Sequence, residues 1–320
     1  MKLSELQKYM QSLQTLPDPT DPQQQSDLLR RLGLEMSDIY QELEMESAFV
    51  DTHRDVSNSY SYFKLHSHRF YELLYCRSGS VEYLIGTQRY RLQKDDIVLV
   101  SPGVSHCPIL PEHLQEPYVR DVVWISPEFM QRLSRDFPTL FAQQSAGLPL
   151  LRTGNTKWER LGDLFNAGIS ISQSDTPERE MALVGNTVTL LSQLFQATLH
   201  LKNRQTRAEK PELLERVIAY VSQNMHEKLV LEEVAQHFFV SQSTICQVFR
   251  SKTGTSFHRF VTQMRLITAK ERIAEGVPLE TVSAQVGFSD YSTFYRAFKQ
   301  EFGISPRQFR ALLETQTAII

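Results

Sequence analysis

The sequence predicts an α+β multidomain chain. An N-terminal β-barrel of jelly-roll type with trailing helices precedes an all-α C-terminal domain built of two helix–turn–helix units. Three observations predict this. From Ala48 to Trp124 apolar and polar residues alternate, aromatics are frequent and glycines mark the breaks. Beyond Thr156 the apolar spacing changes to threes and fours. From Pro211 to Arg310 a pattern of short helix, turn and longer helix occurs twice. Period-two alternation is a strand signal, and i, i+3, i+4 spacing is a helix signal.

Length and composition agree. A chain of 320 residues can build two domains, each with its own core. Apolar content of 41% and charged content of 22% are ordinary for globular protein. The net charge of −3 and pI near 6.3 exclude a bulk polycation. Residues 211–310 carry twelve basic and ten acidic side chains, so any nucleic-acid contact there works by placement rather than by field. Cys76, Cys107 and Cys246 are an odd set without paired spacing, which predicts free thiols in a reducing compartment. No apolar run approaches the ~18–20 residues of a membrane span, and Met1–Met10 is no signal peptide, so no membrane partner and a cytoplasmic location are expected.

Residues 1–47 read as an arm. Leu3, Leu6, Tyr9, Met10 and Leu13 make a short amphipathic helix that Pro17, Pro19 and Pro22 stop. Residues 48–126 form the barrel. Its strands are expected at Tyr60–His68, Phe70–Arg77, Ser80–Gly86, Gln88–Leu92, Ile97–Ser101 and Tyr118–Ile125, with hairpin turns at Arg77–Ser80 and Gly86–Thr87. Residues 127–203 are helical, with helices at Pro127–Arg135, Thr156–Ser172 and Pro177–Lys202. In the last, Met181, Val184, Val188, Leu191, Phe195 and Thr198 form a heptad seam, widened by Leu183, Leu190, Leu194 and Leu201. A dimerisation role is expected for Val184, Val188, Leu191 and Phe195. The alternative is a stripe that covers its own barrel. Residues 204–210 are a polar linker, and residues 211–314 the C-terminal domain.

In that domain Leu231–Phe239, a turn at Val240–Ser241 and Gln242–Lys252 make the first unit. Pro278–Val286, a turn around Gly287–Ser289 and Asp290–Phe302 make the second. Ile245, Val248 and Phe249 form one buried stripe, and Phe294, Ala297 and Phe298 repeat it. The opposite faces carry Gln242, Ser243, Gln247 and Arg250 in the first unit and Tyr291, Ser292, Tyr295, Arg296 and Lys299 in the second. Such groups on an exposed helix can reach base edges and phosphates in a major groove. Ser256–Glu275 reads as one long helix setting the distance between the two units.

Residues 213–310 closely resemble the DNA-binding domain of AraC/XylS-type transcription regulators. The resemblance is carried by Glu233-Val234-Ala235, Val240-Ser241-Gln242-Ser243, Phe249-Arg250, Arg265-Leu266, Val286-Gly287-Phe288-Ser289-Asp290-Tyr291, Phe302-Gly303-Ile304-Ser305-Pro306 and Phe309-Arg310. Ser283 stands where that family has a small Ala, and no Ser or Thr caps the helix at Leu231. The resemblance implies base contacts from Ser243, Gln247, Tyr291, Ser292 and Arg296. Arg250 and Lys299 are expected on phosphates, which position without specifying.

A second resemblance lies in the barrel. His66-Ser67-His68, Glu72, Gly79, Asp95-Asp96, Pro102-Gly103 and His106 are similar to the two cupin motifs. Asp95 stands where the second motif has Gly, a turn residue that tolerates the left-handed region. His66, His68 and Glu72 share one strand parity, and His106 comes from a separate strand end. Three imidazoles and a carboxylate can hold Zn, Fe or Mn, or line an effector pocket without a metal. No cofactor is otherwise expected. Phe70, Leu74 and Cys76 share the parity of Glu72, with Tyr83 and Trp124 as neighbours.

The expected function is a sequence-specific transcription regulator, an activator by resemblance, controlled by a small effector such as a sugar. Its expected partners are promoter DNA, RNA polymerase and a second copy of the chain. The alternatives are a metal-dependent cupin enzyme with an appended DNA-binding module and an effector-independent regulator.

Overall fold

The computed structural model describes residues 44–57, 65–110, 114–138, 150–201 and 211–317. The expected arm lies outside them apart from its last four residues, as do linker residues 204–210 and most of the expected strand Tyr60–His68.

Two antiparallel sheets face each other. One has five strands in the order β1 (Val50–Ser57), β7 (Tyr118–Ile125), β2 (Tyr71–Ser78), β5 (Asp96–Val100) and β8 (Leu150–Arg152). The other has three, in the order β4 (Gln88–Leu92), β3 (Val81–Ile85) and β6 (His106–Ile109). Alternation decides which side chains fill the space between them. Phe70, Leu74, Cys76, Tyr83, Val98, Val122 and Trp124 form that core. Burying an apolar side chain of this size contributes roughly 1.5–3 kcal/mol. The turn into β5 is left-handed at Asp95, with φ of 67°, as its place in the second cupin-like motif implies.

Three strands differ from the expectation. β1 and β6 were hidden in irregular polar stretches. β8 comes from beyond residue 126 and pairs with β5, so the barrel extends past its expected boundary. β6 and β8 are too short to show a period, and the polar run of β1 gains its place from pairing with β7 along its whole length, so one-sequence periodicity misses all three.

The outer face of the five-stranded sheet is covered by α1 (Pro127–Asp136), α2 (Leu161–Ser172) and α3 (Arg179–Leu201). Ser126 caps α1, its hydroxyl accepting from the Phe129 N–H at 3.2 Å, with Pro127 in the first turn. α2 starts later than Thr156 because residues 154–160 form turns. The seam of α3 corrects the dimerisation expectation in part. Leu191 and Phe195 are each 3% exposed and belong to the core beneath the sheet, together with Leu190 and Leu194. Val184 and Val188 are half-buried against that core. The wide stripe is mostly an intramolecular cover, because the sheet's own outer face (Leu73, Tyr75, Ile97 and Val123) needs one.

The C-terminal domain is helical throughout: α4 (Leu213–Asn224), α5 (Leu231–His237), α6 (Gln242–Thr253), α7 (Phe257–Ala274), α8 (Leu279–Gln285), α9 (Tyr291–Phe302) and α10 (Pro306–Thr317). α7 serves two cores. Val261, Met264 and Ile267 pack with α4, α5 and α6, while Leu266, Ala269 and Ile273 pack with α8, α9 and α10. Eighteen residues at ~1.5 Å each make α7 a rod of about 27 Å.

Candidate functional site

The two longer helices of the repeated units are built alike. Ser241 caps α6, accepting from the Thr244 N–H at 3.1 Å, and Asp290 caps α9, accepting from the Thr293 N–H at 2.7 Å. Those bonds from Thr293 hold the Asp290 carboxyl below its ordinary range. Gly254 and Gly303 end the two helices in the left-handed region. Ile245 and Phe249 of α6, and Phe294 and Phe298 of α9, are fully buried. The stripe therefore anchors each helix and turns its other face outward.

On those outward faces Gln242, Ser243, Gln247 and Arg250 are exposed, as are Ser292, Arg296 and Lys299. Tyr291 and Tyr295 are half-buried, their rings 6.4 Å apart. Seven of the nine expected residues are thus exposed on α6 or α9, while Tyr295 is half-buried and Tyr291 packs against the core of α8, α9 and α10. One feature that periodicity did not indicate is Phe239, in the turn before α6, with φ of 57° and 96% exposed.

The second candidate lies inside the barrel. His66 forms an isolated backbone bridge with His106, which stands at the start of β6. His66, His68 and His106 place one ring nitrogen each within 4.8 Å of one another. Glu72, on β2, sets its Oε2 3.1 Å from Nε2 of His106 and 3.6 Å from Nε2 of His68. Its other oxygen accepts from Trp124 Nε1 at 2.9 Å. The structure thus gathers all four ligand-type residues.

Tautomers follow from the outer partners. Nδ1 of His68 is 2.9 Å from the Phe70 carbonyl, and Nδ1 of His106 is 2.9 Å from the Val104 carbonyl. A carbonyl only accepts, so each Nδ1 must carry a proton. In the neutral rings both Nε2 atoms are then lone pairs, turned towards a carboxylate oxygen. Among the described residues these two nitrogens and Glu72 Oε2 are buried with no hydrogen-bond partner. Burial lowers the pKa of His68 and so favours its neutral form. Three acceptors converging without a donor make a place for a cation, and N and O donors at this spacing fit a divalent transition metal.

Polar groups continue inward. Arg120 is buried, donates to Asp55 at 2.8 Å and to Ser57 at 3.2 Å, and lies over the Tyr118 ring. Burial would raise the Asp55 carboxyl, yet Arg120 and His53 bring it down to about 2. The Tyr118 hydroxyl is buried and without a partner among the described residues. Sequence reading named Tyr83 and Trp124 for this interior but not His53, Tyr118 or Arg120. Their inward parity on β1 and β7 was the only signal available.

Comparison with known proteins gives two matches. Residues 52–183 match the AraC-like ligand binding domain, and residues 234–312 match a helix-turn-helix domain. The chain is 23% identical over 250 residues to the transcriptional activator RhaS of Salmonella arizonae, covering 78% of this chain and 87% of that one. It is 26% identical over 226 residues to the arabinose operon regulatory protein of Salmonella typhimurium, covering 70% and 77%. Among solved structures, ToxT of Vibrio cholerae aligns over 83% of this chain and 99% of that one, at 14% identity and a TM-score of 0.33.

Proposed function

Since this chain belongs to the AraC family of transcription regulators, with a ligand-binding barrel and a helix–turn–helix domain, we propose that it is a homodimeric activator. A small polar effector such as a sugar enters the barrel, and α6 and α9 read promoter DNA. The relatives are transcription regulators, not enzymes.

The observation that carries this reading is the pair of capped helices, each anchored by a buried aromatic stripe and presenting polar groups to solvent. Ser243 and Gln247 in the first half, and Tyr291, Ser292 and Arg296 in the second, meet base edges. Arg250 and Lys299 meet phosphates. Gln242 and Tyr295 flank them. The rod α7, about 27 Å long, approaches the ~34 Å spacing of successive major grooves and holds the two readers apart along one duplex. Dimerisation uses the outer flank of α3, where Val184 and Val188 adjoin the 73%-exposed Met181. Activation follows from contact between the DNA-bound dimer and RNA polymerase. Among the described residues no helix is long and apolar enough to cross a membrane, which accords with a cytoplasmic location.

For the effector, the buried Tyr118 hydroxyl, Arg120 and the aromatic walls offer hydrogen bonds and a stacking surface suited to a polyhydroxyl ring. One relative, the arabinose operon regulatory protein, is named for a sugar operon. The test is a genome-wide footprint with and without a sugar panel. Sites that respond to one sugar support the reading, and identical footprints throughout the panel, with no thermal stabilisation, refute effector control.

The converging acceptors favour a second reading of the barrel site. There His66, His68, His106 and Glu72 hold a divalent cation, which answers the unpartnered acceptors of His68, His106 and Glu72.

A further inference from the structure

The three-stranded sheet has different work on its two faces. The register pairs Ile85 with His106, Leu84 with both Cys107 and Arg89, and Glu82 with Ile109. Side chains of paired residues share a face, so Tyr83, Ile85 and His106 point into the barrel. Glu82, Leu84, Arg89, Cys107 and Ile109 point away from it. On that outer face lies α4 of the DNA-binding domain. Leu84 and Cys107, with Leu65 beside His66, share one buried cluster with Leu214, Val217 and Ile218.

Arg89 closes this contact. Its guanidinium meets Glu82 of its own sheet at 2.6 Å, Glu212 at 2.7 Å and Glu215 at 2.5 Å, the last two at the start of α4. Arg89 and Glu215 are nearly buried. One cation among three carboxylates leaves negative charge uncompensated, and Glu215 Oε2 has no hydrogen-bond partner among the described residues. Only Arg89 and Glu215 of the cluster are near-buried, Glu82 and Glu212 staying in contact with water. A half-buried cluster so incompletely matched holds a geometry without contributing much net stability, because Glu215 regains hydration on separation. Such a contact is suited to opening.

A second touch lies on the path between two of the histidines. The Gly103 N–H donates to the His68 carbonyl at 2.9 Å. A Cβ at Gly103 would stand only 2.9 Å from a carboxylate oxygen of Glu271, on the rod α7. The reading faces of α6 and α9 stay exposed meanwhile. The barrel grips the back of the DNA-binding domain, so it governs where the readers are held rather than whether they are covered.

We propose that the β4–β3–β6 sheet transmits the signal: filling the His66–His68–His106–Glu72 site on its inner face alters the Arg89 clasp and the Leu84–Cys107 contact with α4 on its outer face. The ligand end of this proposal rests on reading the histidine cluster as the binding site, whereas the clasp does not. A shift in this one-sheet wall must be felt on both sides, since packed interiors pass displacement on rather than absorb it.

The test is amide hydrogen exchange on the full chain, read over Leu213–Asn224, with peptides from Tyr118–Ile125 as a check that the barrel stays folded. Arg89→Ala is expected to speed exchange in α4 by about tenfold while Arg89→Lys recovers part of the protection. No change in Arg89→Ala overturns the clasp. His106→Gln and Tyr83→Phe, both on the inner face, are expected to shift α4 exchange at least threefold. Saturating Zn2+ is expected to shift it in the wild type and much less in Arg89→Ala. Stoichiometric Zn2+ binding with unaltered α4 exchange overturns transmission and leaves the cation reading standing. Failure of Zn2+ to bind removes the cation reading, and the two inner-face variants then decide transmission: a shift supports it and unaltered exchange overturns it.

Discussion

The Met225 carbonyl oxygen occupies the space that a Cβ on Gly287 would need. Gly287 follows α8 and Met225 follows α4, so the turn of the second helix–turn–helix unit meets, backbone to backbone, the end of the helix that supports the first. Arg265 of α7 ties the same place together, donating to the Met225 carbonyl at 3.0 Å and to the Glu227 carbonyl at 2.6 Å. Gly287→Ala combines a left-handed backbone, φ +83°, with this overlap. A cost of about 2–5 kcal/mol is expected from the two effects together. Gly276 has nearly the same φ, +84°, but nothing within 4 Å. Gly276→Ala should therefore cost only about 1–2 kcal/mol. Thermal melting of the two variants checks this, and equal shifts would mean that the close approach is not a constraint.

The exposed residues of α9 divide into two roles. Arg296→Ala is expected to relax one base position and to cost ~1–3 kcal/mol of discrimination. Lys299→Ala is expected to weaken all sequences alike and to lower the salt slope by about one ion. A randomised-site selection at two salt concentrations separates them, and identical profiles would reverse the assignment.

Glu271 should give a pH signature. Burial pushes its carboxyl up to about 7 and Glu275 adds to this, while Arg272 and Lys270 pull the other way. A carboxyl raised on folding binds its proton more tightly in the native state. Stability then falls as pH rises from about 4.5 to about 7 and levels off above that window. Glu271→Gln should flatten this slope, as denaturant midpoints measured across the window will reveal. An unchanged slope would place Glu271 in water.

Purified wild-type protein loaded with Zn2+ is expected to retain about one equivalent, and His66→Ala should lose it. Glu72→Gln supplies an amide N–H to the lone pairs of His68 and His106, so it should melt at or above the metal-free wild type while also losing the metal. Elemental analysis with thermal melting reads both. A destabilised, metal-retaining Glu72→Gln would contradict the acceptor cluster.

The expectations held best where residues close in sequence carry the pattern. Glu72, Leu74 and Cys76 share the inward face of one strand as expected, and Phe70 joins the same interior from the bend just before it. The stripes at Ile245 and Phe249 and at Phe294 and Phe298 were legible for the same reason. The seam of α3 was seen as a stripe but not for what it covers, since a heptad spacing does not distinguish a second copy from the sheet beneath. β8 went unseen because three residues hold too little pattern. Arg89 sits in a polar strand that reads as a solvated edge, and its partners Glu212 and Glu215 lie more than a hundred residues away.

By itself, then, the order of residues determined the two domains, the double reader with its buried stripes and polar faces, and the four ligand types of the barrel, because periodicity and motif spacing act over short stretches of chain. Only the tertiary structure decided that those four converge with three acceptors unanswered, that Leu191 and Phe195 of α3 are spent on their own core, and that one sheet separates the histidines from α4. Those facts depend on which distant surfaces bury one another, and burial is settled by the packing of the whole chain.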